Sequence, residues 1–222
     1  MMPKIVRRLS LPLALLASTL AHAAPLPVPP PPRPEVRAWI LMDAQSGRVI
    51  TSHDADTAHE PASLTKLMTG YAVFHAIRDG RLSADTEVPI SVRAWRAEGS
   101  RSFVDVNTRV PVEVLLQGMI VQSGNDATIA LAEAVAGSEE TFADLMNEYA
   151  RRLGMKNSNF ENSTGLPGPR HRVSARDMAL LGRAIVQEFP GEYRRYSQRQ
   201  FTWNGITQQN RNGLLDRDPA VD

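Results

Sequence analysis

The chain has 222 residues, 42% of them hydrophobic and 22% charged, with a formal net charge of +1. That is enough for one sizeable domain with a real core, and it excludes disordered and collagen-like classes. The absence of cysteine excludes thiol catalysis, thiolate metal sites and disulfide stapling.

At the start, Lys4, Arg7 and Arg8 form a basic head, Leu9 to Leu20 a short apolar run, and Ala21-His22-Ala23 a small-x-small cleavage pattern. The run is too short to span a bilayer comfortably, so residues 1–23 read as a cleaved export signal and the mature chain begins near Ala24. Residues 1–23 hold three of the 25 basic residues and none of the 24 acidic ones, which leaves 22 against 24 and a net charge of about −2. Such a balance gives no electrostatic footprint for nucleic acid, and Arg194, Arg195 and Arg199 read as a solvated helix face. Seven of the 16 prolines lie between Pro25 and Pro34, so residues 24–36 read as an extended spacer.

Two β-rich runs follow, Ala38 to Met42 and Arg48 to Ser52, separated by Asp43-Ala44-Gln45-Ser46-Gly47, which has the turn chemistry of a hairpin. From Ser63 to Ile77, apolar residues recur at helical intervals and Gly80 is placed to terminate the helix. Helices also fit Val112 to Val121, Asp126 to Val135, Glu139 to Leu153 and Arg176 to Phe189, the last opened by Ser174 with Asp177 three residues on. Phe201 to Trp203 is a late strand. Strands at both ends of a block of helices imply a mixed α/β domain of the α+β kind, with an antiparallel sheet, flanking helices and a helical subdomain.

Two short segments could carry chemistry. In Ser63-Leu64-Thr65-Lys66 a lysine follows a serine by one helical turn, about 4.5 Å along the axis and on nearly the same face. A serine is a poor nucleophile until a base takes its proton, and a lysine is that base only when burial or nearby cations lower its pKa. The helix N-terminus also favours negative charge developing on a bound oxyanion. The second segment, Gln122-Ser123-Gly124-Asn125, interrupts two helical stretches and offers a hydroxyl and an amide from a tight turn. By itself each segment also fits a plain helix cap. His53 to Glu60 clusters imidazoles and carboxylates as a metal site does, but without ordered spacing, and a polar surface loop is the better account. His75 and His171 have no G-x-S-x-G partner, which argues against a Ser-His-Asp hydrolase.

Ser63-x-x-Lys66 followed by Ser123-x-Asn125 resembles the first two of three motifs of penicillin-binding proteins and serine β-lactamases. The surrounding text, Pro61 to Thr69 and Gly118 to Ala127, resembles the low-molecular-mass D-alanyl-D-alanine carboxypeptidases, and the similarity runs from about Arg37 to Asp222. The resemblance implies a β-lactamase/transpeptidase-like fold and a penicillin-sensitive serine carboxypeptidase that needs no cofactor or metal. Ser63 would be the acyl-ester nucleophile, Lys66 its proton acceptor, Ser123 a proton relay and Asn125 a substrate-binding residue. Peptidoglycan stem peptides would be the substrate and β-lactams the inhibitors. The setting would be the periplasm, with membrane association only through an anchor beyond Asp222.

One departure matters. The chain ends Asp218-Pro-Ala-Val-Asp222 where the family continues into Gly-x-Lys-Thr-Gly, and no Lys-Thr-Gly occurs in it. The expectation is therefore that residues 37–222 form an incomplete catalytic domain lacking the C-terminal sheet strands, so that the hairpin presents open edges. On this reading the parent protein is the enzyme, while a non-catalytic remnant and a related β-lactamase or endopeptidase are the alternatives.

Overall fold

The computed structural model describes residues 30–31 and 34–221. The expected leader over 1–23 lies outside the described residues, as does most of the proline-rich spacer. In chain order the strands and helices begin with β1 (Trp39–Met42), β2 (Val49–His53), β3 (Ala58–His59), α1 (Thr65–Arg78), β4 (Glu87–Pro89), α2 (Val92–Trp95) and β5 (Arg109–Pro111). They continue with α3 (Val112–Val121), α4 (Asn125–Ala136), α5 (Glu139–Arg152), β6 (Val173–Ser174), α6 (Ala175–Glu188), α7 (Pro190–Tyr193), β7 (Gln200–Trp203) and β8 (Ile206–Gln209). Among the described residues the strands form four antiparallel pairs, β1 with β2, β3 with β6, β4 with β5 and β7 with β8. The fold is the mixed helix and antiparallel-strand arrangement expected from the sequence.

The β1–β2 hairpin turns where the sequence says it should. Asp43 Oδ1 accepts the Ser46 N–H at 2.8 Å, and the Gly47 N–H reaches the Asp43 carbonyl at 2.8 Å. Arg183 and Gln187 of α6 then hold the turn by donating to the Ala44 carbonyl at 3.0 and 2.9 Å.

Helix α1 is the centre of the molecule. Eleven of its 14 residues are buried, Thr65, Lys66, Thr69 and His75 among them, because it packs against α3, α4, α5 and α6. Near its C-terminal end an aromatic knot joins three helices: His75 stacks on Tyr149 at 4.6 Å, and Tyr71 meets Phe189 edge-on at 5.6 Å. Arg78 Nη2 donates to His75 Nδ1 at 2.7 Å, and burial, aided by Arg78, pushes the imidazole pKa down. The helix ends at Arg78, with Asp79 as its C-cap and Gly80, at a φ of +72°, directly after.

Capping follows the sequence with one diversion. Ser138 Oγ accepts the Thr141 N–H at 3.1 Å at the start of α5, and Ser174 Oγ accepts the Asp177 N–H at 3.2 Å at the start of α6. The Asp177 carboxylate does not close a reciprocal box. It accepts instead from the Asn157 N–H at 2.7 Å and Ser158 Oγ at 2.8 Å, tying the approach to β6 onto α6.

Three expectations need correction. Ser63 does not open the α-helix; it sits in a 3-10 turn, Ala62–Leu64, that precedes it. The arginines do not share a solvated helix face, since Arg195 is half-buried between Glu113 and Glu192, while Arg199 lies outside the Arg194–Ser197 turn and pairs with Asp216. The His53 to Glu60 stretch is more than a polar loop: Ala55 is buried, Asp56 pairs with Arg176 at 2.7 Å, and Ala58–His59 is β3.

These packing differences translate into stability. Phe74→Ala removes a fully buried ring from the middle of α1 and should cost about 3–5 kcal/mol. Ser138→Ala removes one exposed cap and should cost about 1 kcal/mol. Urea denaturation of the two variants checks the ratio.

Candidate active site

Ser63 and Lys66 meet as one turn of helix dictates. Lys66 Nζ lies 3.3 Å from Ser63 Oγ and donates to the Thr164 carbonyl at 2.8 Å. The serine is exposed, whereas the lysine keeps only 6% of its surface. Burial, aided by the nearby Arg211 guanidinium, pushes the amine pKa from 10.5 down to about 8. A neutral amine at this distance has a lone pair free to take the hydroxyl proton while an N–H still donates to Thr164.

The hydroxyl opens on a cleft of about 320 Å³ lined by Ser63, Gly99, Ser100, Asn125, Thr164, Gly165, His171 and Arg211, among others. Lys66 and Ser123 do not line it. A larger groove of about 1000 Å³ runs along Arg37–Ile40 and α6 but holds no nucleophile–base pair.

One wall is the segment from Glu98 to Val104. The Asn125 N–H donates to the Ser100 carbonyl at 2.7 Å, and Asn125 Nδ2 donates to the Glu98 carbonyl at 2.6 Å. Asp126, fully buried in the first turn of α4, accepts the N–H groups of Ser102 and Val104 at 2.8 and 3.3 Å. Aiming two N–H groups on either side of Phe103 at one carboxylate requires the left-handed φ of +60° at Phe103. Ser123 ends α3 with a φ of +62°, and its buried Oγ has no hydrogen-bond partner among the described residues. The structure thus brings Ser63 to Lys66 and Asn125 to the cleft, without a bond from Ser123 to either.

The opposite wall is the segment 162–165. Asn162 Oδ1 accepts from the Thr164 N–H and Oγ1, both at 3.1 Å, and from the Gly165 N–H at 2.7 Å, an Asx turn. Gly165 has a φ of +91° and lies so close to the Ala62 carbonyl that a Cβ would stand 1.8 Å from its oxygen. That contact clamps Ala62, itself left-handed at +44°, directly before Ser63. His171 completes the floor: Nδ1 accepts the Glu161 N–H at 3.0 Å, so the proton sits on Nε2, 2.8 Å from Thr65 Oγ1. Burial holds its pKa below the ordinary value.

Among the described residues six other than glycine have positive φ, and three of them, Asp54, Asn107 and Asn204, are types that tolerate it. Of the other three, Ala62 lines this cleft, while Phe103 and Ser123 stand three and two residues along the chain from the lining residues Ser100 and Asn125. Backbone strain of this kind clusters at functional sites, which makes the cleft the candidate site.

The sequence profile of the D-alanyl-D-alanine carboxypeptidases, peptidase S11, matches residues 27–222. The chain belongs to this family. It is 44% identical over 195 residues to the D-alanyl-D-alanine carboxypeptidase DacA of Haemophilus influenzae, covering 85% of this chain and 50% of that one. It is likewise 44% identical over 198 residues to DacD of Escherichia coli, covering 85% of this chain and 51% of its relative. The crystal structure of penicillin binding protein 5 from Haemophilus influenzae superposes with a TM-score of 0.83 at 43% identity, over 86% of this chain and 56% of that one. The chain therefore spans about half the length of the curated relatives it matches. The family fold accounts for the mixed architecture seen here.

From the sequence, Thr164, Gly165, His171 and Arg211 take no site role, although the stretches 162–167 and 210–214 resemble family segments. The Asn-Ser-Thr-Gly run at 162–165 is a turn signal that could have marked the second wall. Arg211 reaches the cleft because the β7–β8 hairpin delivers it, with its N–H bonded to the Val121 carbonyl at 3.3 Å.

Gly165→Ala should break the Ala62 clamp. The left-handed backbone and the absence of room together should cost about 2 kcal/mol or more, measured by thermal denaturation, with Gly182→Ala, which has open space, as the control.

Proposed function

We propose that the protein is a serine-type D-alanyl-D-alanine carboxypeptidase that removes the terminal D-alanine from peptidoglycan pentapeptide stems. The observation that carries the reading is the exposed Ser63 hydroxyl set 3.3 Å from a buried amine whose pKa is brought down to about 8. Membership of the S11 family supports it, as do relatives named for that activity.

Ser63 Oγ attacks the carbonyl carbon of the penultimate D-alanine and passes its proton to Lys66. The Ser63 N–H, at the start of the helical segment, donates to the oxyanion. The C–N bond then breaks, the proton moves to the departing amine, and free D-alanine leaves a Ser63 ester. Water hydrolyses that ester, its proton again passing to Lys66. Asn125, with Nδ2 already held by Glu98, offers Oδ1 to a substrate N–H. Ser123, with its hydroxyl free of protein partners among the described residues, relays protons between Lys66 and the leaving group. β-Lactams enter by the same attack and remain as the ester.

The basic, apolar and small-residue pattern over 1–23 supports export to the periplasm, where the substrate lies. Among the described residues no helix is long and apolar enough to cross a membrane.

A labelled penicillin should form an ester on Ser63, seen by peptide mass spectrometry, and Ser63→Ala should take none; label that survives that change overturns the nucleophile assignment. Because only the neutral amine accepts a proton, acylation should rise with pH through about 8. Arg211→Gln removes a cation that disfavours the ammonium form, so the midpoint should move upward, by about one pH unit or less.

A further inference from the structure

We propose that Glu139, held by Arg93, is a positioning residue for Lys66, acting through Ser163 and the backbone carbonyl of Thr164. The inference rests on the reading of Lys66 as the general base. Of the two groups that Lys66 Nζ touches, the Thr164 carbonyl at 2.8 Å is the closer, so the amine is aimed by whatever fixes that carbonyl.

What fixes it is a buried carboxylate on another helix. Ser163 is fully buried, and both its N–H and its Oγ donate to Glu139 Oε1, at 3.0 and 2.6 Å. Its carbonyl accepts Thr69 Oγ1 at 2.7 Å, one turn along α1 from Lys66. The other oxygen of Glu139 takes Arg93 Nη2 at 2.7 Å, and Arg93 also reaches Glu140 at 2.6 Å. Glu139 keeps only 7% of its side-chain surface, so its charge is held by these partners and not by water. Helix α5 does not need it as a cap, since Ser138 already serves. Two donors from one residue on one carboxylate oxygen leave Ser163 little freedom, and Thr164 follows it in the chain with its own N–H tied to Asn162.

Loss of the anchor has a signed consequence. With Ser163 released, the Thr164 carbonyl leaves Nζ and water reaches the amine, which lifts its pKa toward that of a free lysine. Loss of the Glu139 charge alone acts in the opposite direction, because a nearby anion favours the ammonium form. The charged group that acts on Lys66 is Arg211, which every variant below retains.

Lysine ε-carbon NMR across pH reads Lys66 directly, its resonance assigned by its disappearance in Lys66→Met. In Glu139→Ala the Lys66 midpoint should rise by about one unit or more. Glu139→Gln, which keeps an acceptor for Ser163, should stay within a few tenths of a unit of wild type. An unchanged or lowered midpoint in folded Glu139→Ala overturns the proposal, since a merely structural role gives the first and a purely electrostatic role the second. Should Glu139→Ala not fold, Ser163→Ala decides: a smaller rise supports positioning, and no rise overturns it. Penicillin labelling of the same samples keeps the two readings apart. Acylation about ten-fold slower in Glu139→Ala and restored in Glu139→Gln supports both, whereas wild-type protein that takes no label overturns the acyl-enzyme reading while the Lys66 titration still decides the role of Glu139.

Discussion

A lysine amine held out of water beside a serine is the constraint from which the rest of this structure follows. Moving the pKa of Lys66 from 10.5 to about 8 means that at neutral pH the folded protein carries an ammonium ion at a cost of about 3 kcal/mol relative to the unfolded chain. That cost is present in full below pH 8 and fades as pH rises from 8 to 10.5, because the native state gives up its proton before the unfolded chain does. Nearly everything around the amine limits or exploits this penalty. Thr164 and Ser63 supply oxygens, Arg211 adds to the penalty while favouring the neutral amine, and the burial of α1 supplies the favourable energy that offsets it.

Because α1 carries Lys66 and the 3-10 turn leading into it carries Ser63, the core and the site are one problem. Met68, Ala72, Val73, Phe74 and Ala76 are all but fully buried, so the helix has almost no freedom to rotate or slide. The walls of the cleft are irregular chain and need other anchors. The first turns of two neighbouring helices provide them: Asp126 of α4 holds the Ser102 and Val104 amides, and Glu139 of α5 holds Ser163. Negative side chains are favoured at helix N-termini in any case. Here the same carboxylates also tie a loop to a helix.

What could be read from the sequence was whatever depends on short spacing. The β1–β2 hairpin, the helical runs, the Ser174 cap and the Ser63–Lys66 pair are set by residues fewer than about twenty apart, and each appears nearly where its pattern lies. The β7–β8 hairpin was also within reach, since Asn204-Gly205, with φ of +48° and +72°, is a strong two-residue turn signal, but only the first arm was recognised. Strands of two or three residues such as β3, β4, β5 and β6 have no periodicity to find. Contacts made at long range left no mark at all. Nothing in the sequence says that Lys66 finds Thr164, that Asp177 leaves its own cap for Asn157 and Ser158, or that Arg195 enters an ion-pair network with Glu113.

The backbone strain shows that these long-range anchors have real work against them. Holding Ala62, Phe103 and Ser123 in the left-handed region costs roughly 1–3 kcal/mol apiece, and none of the three gains a compensating local hydrogen bond from its own side chain. Relaxing any one of them would move the Ser63 turn, the Ser100 carbonyl or the Asn125 amide away from the cleft. The three strained residues therefore persist only because Gly165, Asp126 and the packing of α3 on α4 leave them no alternative. On the proposed reading, groups held in place in this way need no rearrangement as charge develops on a bound carbonyl oxygen.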